Sequence, residues 1–123
     1  MHLKELIYGP QLLGLILLIA GLIQQKYPPK KINGLYGYRT IRSKSSQRNW
    51  DEGNRYSAIL MVRIAWILLI GGLIAAVSLH FVENRKLKEG LTFLLMTGGT
   101  MAGVIIMIGK TERHLEKLEE DEE

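Results

Sequence analysis

The sequence predicts an all-α membrane protein with three transmembrane helices and an ordered cytoplasmic connector between the first and the second. The apolar runs Leu6 to Gln25, Ile64 to Val82 and Leu91 to Gly109 are poor in charge and separated by strongly charged segments. Each run has about 19 or 20 residues, which at roughly 1.5 Å per helical residue matches a hydrocarbon layer roughly 30 Å thick. The runs are continuous rather than alternating, and lipid admits only helices or closed barrels, so a helical bundle follows.

One domain, residues 1–109, uses the chain's apolar capacity, and residues 110–123 form a charged tail. A mean hydropathy of +0.08 averages apolar spans with charged ends and hides both. Cysteine is absent, which removes disulfides and thiolate chemistry. A net charge of +4 would suit nucleic acid in a soluble protein. Here the basic residues gather beside span ends, where they set topology, and no direct nucleic-acid contact is expected.

The first span, residues 6–25, follows a short amphipathic stub, with Pro10 tolerated in the first turn and Gly14 and Gly21 along it. No small-x-small site suggests signal cleavage, and a lipoprotein signal would need a cysteine. Tyr27-Pro28-Pro29 stops the helix. The connector, residues 26–57, is rich in Gly, Asn and Tyr in its first half, and turns helical from Ser45 or Ser46, each a plausible N-cap. The second span, residues 58–82, carries Arg63 near enough to one end to snorkel, with anion binding as its alternative. Small residues Gly71, Gly72, Ala75 and Ala76 on this span, and Gly99 and Gly103 on the third, residues 91–109, predict close helix packing. In one chain with short connectors, packing inside the bundle is expected over packing between copies. Thr97 and Thr100 are expected to return their hydroxyls to the i−4 carbonyl. The tail has seven acidic and three basic residues and faces a basic connector. Acidic groups oppose the dipole at a helix C-terminus, so a solvated, frayed tail is expected over a docked one.

Orientation follows from counting. Eleven Lys and Arg residues fall in the connector and tail, against four in the N-terminal stub and second connector, which places the N-terminus outside and the C-terminus in the cytoplasm.

Catalysis has little support. His2, His80 and His114 lie on separate segments, so no metal site is expected, and no cofactor motif is present. No Asp or Glu lies inside a span, which argues against proton-coupled transport. The concentrated chemistry is in Asn33, Tyr36, Gly37, Tyr38, Arg39 and Thr40, followed by Ser43, Trp50 and Asn54. Arg39 offers a planar fork of donors for phosphate, carboxylate or carbonyl oxygens. The segment reads either as an interfacial loop on lipid headgroups or as a folded cap presenting Arg39 to a partner.

Pro29-Lys30-Lys31-Ile32-Asn33, then Tyr36-Gly37-Tyr38-Arg39-Thr40, Ser43, Trp50 and Asn54, resemble the signature of the SdpI/YfhL immunity-protein family. One span before the signature and two after it are also similar to that family. The chain departs from the pattern at Ile41, where relatives often have proline, and at Gly53, where alanine is common. The additional N-terminal spans of the larger member are also missing. The resemblance implies a multi-pass protein of the bacterial cytoplasmic membrane that protects against a secreted toxic peptide, with no enzymatic turnover. The alternatives are a small regulatory or structural membrane subunit docking a cytoplasmic protein such as a repressor, and, less favoured, a transporter component.

Overall fold

A computed structural model describes residues 2–122, and every regular element among them is helical. α1 spans Leu3–Ile7, α2 Pro10–Lys26, α3 Gln47–His80 and α4 Arg85–Asp121. A single 3-10 turn, Ser43–Ser45, interrupts the α2–α3 connector. Two helices, α3 and α4, are long and apolar enough to cross a membrane, whereas α2 is a shorter apolar helix.

The first apolar run is split. Gly9 takes φ 154°, a conformation open to glycine, and Pro10 then starts α2 at the position where a missing N–H costs nothing. α2 ends with Tyr27 N donating to Ile23 O before the two prolines. Ser46 caps α3 by accepting from Asn49 N at 3.0 Å, and Asn84 caps α4 by accepting from Leu87 N at 3.2 Å. At 34 and 37 residues, α3 and α4 are about 50 Å long, well beyond a roughly 30 Å apolar layer. Their polar ends therefore extend together past the apolar part, on the side of the α2–α3 connector.

Glycines set the distance between α2 and α3. A Cβ at Gly14 would sit 2.6 Å from Leu69 N and 2.9 Å from Ala65 O, and one at Gly21 would sit 2.8 Å from Val62 Cγ2. Gly72 lies against the backbone of Gln11. α4 meets α3 where Gly99 faces Leu68 and Gly103 faces Ile64. The expected small-residue face is thus narrower than its pattern. Gly71 has open space around it, and Ala75 and Ala76 are half-buried in the wall of a cleft.

That open cleft, about 1400 Å³, lies where α1 crosses the ends of α3 and α4. Glu5 fastens α1 there. Its carboxylate accepts from Lys88 Nζ at 2.8 Å and lies 3.1 Å from His80 Nδ1. The bond from Lys88 first, then His80, holds its pKa down at about 2.

Two expectations are corrected. The tail does not fray, because α4 continues to Asp121 and its acidic face docks on the connector. Among the described residues neither Thr97 nor Thr100 returns its hydroxyl, and Thr100 Oγ1 is buried without a partner; Thr92 and Thr111 make that bond instead, to Lys88 O and Met107 O.

Candidate functional site: a polar cap at the end of the helices

Asn33 builds the first turn after the prolines. Its Oδ1 accepts from Leu35 N at 2.9 Å and Tyr36 N at 2.7 Å, and its Nδ2 donates to Lys31 O. Tyr36 Oη reaches back to Tyr27 O at 2.8 Å and ties the turn to the end of α2. Gly37, at φ 106°, then brings the chain against Asn54 and Pro29, where a side chain would collide with both.

Tyr38 turns inward as a result. Its N–H donates to Asn54 Oδ1, and Asn54 Nδ2 donates to Trp50 O at 2.9 Å. Trp50 is fully buried, and its indole N–H donates to Pro29 O at 2.7 Å. An amide and an indole on α3 therefore satisfy backbone groups that an irregular loop would leave stranded. Gln24, buried near the end of α2, completes this layer by donating to Asn54 O at 2.9 Å and Ser57 Oγ at 3.2 Å.

Thr40 and Ser43 close the next turn on each other. Thr40 N donates to Ser43 Oγ at 2.8 Å, Ser43 N donates to Thr40 Oγ1 at 3.1 Å, and Ser43 Oγ donates to Tyr38 O. The tail supplies the wall. Glu112 Oε1 accepts from both Tyr38 Oη and Thr40 Oγ1 at 2.6 Å. Burial, and then the bond to Glu112, pushes the Tyr38 phenol above its ordinary pKa. Arg42 lies 3.7 Å from both Glu116 and Glu119, Asn49 Nδ2 donates to Glu119 Oε1 at 2.8 Å, and Arg48 pairs with Glu122. Glu52 accepts from Arg55 and lies 2.8 Å from His114 Nε2; the Arg55 bond outweighs partial burial and holds the carboxyl at about 2. His114 also stacks on Tyr56, with ring centroids 4.1 Å apart.

Of the nine residues singled out in the sequence, Tyr38, Ser43, Trp50 and Asn54 are buried and bonded to one another or to shared partners. Asn33, Gly37 and Thr40 shape the loop, whereas Tyr36 and Arg39 lie on the outside. Arg39 Nη1 donates to Gly34 O, so the guanidinium braces the turn and keeps its remaining donors at the surface. Gln24, Arg42, Asn49, Ser57 and Glu112 were not anticipated. Their signals are an amide at the end of an apolar run and the spacing Glu112, Glu116, Glu119, one acidic face of a helix.

The SdpI/YfhL protein family model matches residues 30–110, which take in the signature loop, all of α3 and α4 as far as Lys110. The chain belongs to this family. An uncharacterized protein, YfhL, of Bacillus subtilis (strain 168) is 44% identical over 84 residues, which cover 67% of this chain and 76% of the relative. No solved structure matches.

Proposed function

We propose that this family member is a three-span protein of the bacterial cytoplasmic membrane, with its N-terminus outside and the cap and tail inside, that protects the cell against a secreted toxic peptide. The observation that carries the reading is family membership through a signature whose residues fold into one bonded unit, Tyr38, Ser43, Trp50 and Asn54, with Arg39 held at its surface. Such a unit suits binding without turnover. Its polar groups are spent on one another. α2, 17 residues long, serves as the third span in this reading.

A second reading rests on the exposure of Arg39. A surface guanidinium beside free loop residues could dock a cytoplasmic regulatory protein, and the chain would then be a regulatory subunit.

A toxin-challenge assay at matched membrane abundance tests the proposal. Cells carrying the wild type should survive the peptide better than cells without it, and Arg39→Lys, which keeps the charge and loses the fork, should lose most of that protection. No difference between cells with and without the protein would overturn the function, and full protection by Arg39→Lys would reduce Arg39 to a brace.

A further inference from the structure

The connector's cations fall into two sets. Arg42, Arg48 and Arg55 are paired with Glu116, Glu119, Glu122 and Glu52. Lys26, Lys30, Lys31, Arg39 and Lys44 have no carboxylate partner among the described residues. Three of these five, Lys26, Lys30 and Lys31, lie between the end of α2 and the Asn33 turn, and Arg39 reaches back to that turn through Gly34 O. The same short stretch exposes apolar and aromatic groups, with Leu35 92% exposed at the tip and Tyr27, Ile32 and Tyr36 around it. The bond from Tyr36 Oη to Tyr27 O holds this lobe one residue beyond an apolar helix, and Lys26 Nζ lies 5.5 Å above the Tyr27 ring.

We infer that the lobe 26–39 is a lipid-reading surface that docks on the headgroups of an anionic leaflet, with Leu35 entering the layer and Lys30, Lys31 and Arg39 meeting lipid phosphates. The inference rests on the membrane reading above and not on the toxin. Tail carboxylates neutralise the far side of the cap, so the unpaired positive charge is concentrated on the side that adjoins α2. Cations on an apolar tip are the complement of an anionic membrane surface. Arg39 has a specific part. By donating to Gly34 O it stiffens the turn that carries Leu35, and its other N–H groups stay free for a phosphate. Ile41 is just as exposed, at 91%, but it adjoins Arg42, whose guanidinium lies 3.7 Å from both Glu116 and Glu119 and donates to Glu112 O, so it sits beside the acidic wall of the tail and not among unpaired cations. It faces water.

The chain has no cysteine, so Leu35→Cys and Ile41→Cys each accept one fluorophore. Full-length protein is placed in nanodiscs of phosphatidylcholine alone, or of equal parts phosphatidylcholine and phosphatidylglycerol, each with a lipid-borne quencher. The label at 35 should be quenched several-fold more in the anionic discs, and the label at 41 in neither. Lys30→Gln and Lys31→Gln should each lower the docked-to-free ratio roughly fivefold, while Lys44→Gln leaves it unchanged. Equal quenching at 35 in both compositions, no quenching in either, or matching behaviour at 41 would overturn the inference. Loss of protection by Leu35→Asp with position 35 unquenched would assign the lobe to a protein partner instead. Both faces of a disc are open, so the quenching result depends on neither orientation nor toxin.

Discussion

Tyr38 Oη donates to Glu112 Oε1 at 2.6 Å across 74 residues of sequence. Thr40 Oγ1 donates to the same oxygen, so the signature loop and the tail helix share one carboxylate. The family motif is completed by a residue just outside the matched segment, which ends at residue 110. A tail that reads as a solvated charge run is instead one wall of the cap.

Glu112→Ala is therefore expected to release both the loop and the tail. It leaves the buried Tyr38 phenol with only a 3.5 Å approach to Ile108 O and the Thr40 hydroxyl without its acceptor, at a cost of about 1–3 kcal/mol. Thermal unfolding in detergent should register the loss, and protease should cut between residues 110 and 122 sooner than in the wild type. Tyr38→Phe combined with Glu112→Ala should cost less than the two separate losses added together, because they share one bond.

Acid should loosen the cap through Glu52. Its pKa lies at about 2 in the folded protein against an ordinary 4.5, chiefly through the Arg55 bond and secondarily through His114. A depressed carboxylate stabilises the fold fully above about 4.5 and loses that contribution as pH falls through about 2. Wild-type stability should thus fall across this window more steeply than that of Glu52→Gln, which should start lower at neutral pH. Parallel acid profiles for the two proteins would remove Glu52 from the cap's energetics.

The helices and the cap's location were legible in the sequence because both rest on local signals: apolar length, the paired prolines, and caps such as Ser46. Trp50 and Asn54 stood out in the sequence, yet their bonding partners did not. Nothing local says that an indole N–H will reach Pro29 O or that Asn54 will serve Tyr38 and receive Gln24. The tail was misjudged for a related reason. The dipole argument weighed Glu116 and Glu119 against their own helix, whereas Arg42, on a different segment, supplies the compensating charge.

Orientation rests on the excess of basic residues in the connector and tail, and cysteine labelling reads it directly. Ser45→Cys and Glu89→Cys lie at opposite ends of α3 and α4, and both wild-type side chains are exposed. In intact cells an impermeant thiol reagent should label position 89 and spare position 45, and both should label after lysis. Labelling of position 45 from outside would reverse the topology and put the cap, with its unpaired cations, on the outer surface.

Packing should rank the glycines by what stands in the way of a Cβ. At Gly14 the obstacle is backbone, Leu69 N and Ala65 O, which can move only if α3 moves. Gly14→Ala should cost about 1–3 kcal/mol. At Gly103 the obstacle is Ile64 Cγ2, 2.8 Å away, and a rotamer change can relieve most of the clash, so Gly103→Ala should cost less. Gly71 meets nothing within 4 Å. Gly71→Ala should be neutral or stabilise by about 0.5–1 kcal/mol, because alanine loses less chain entropy than glycine in a helix. Unfolding in detergent orders the three variants, and a Gly71→Ala loss as large as that at Gly14 would mean that this open face of α3 is covered by a neighbour in the membrane.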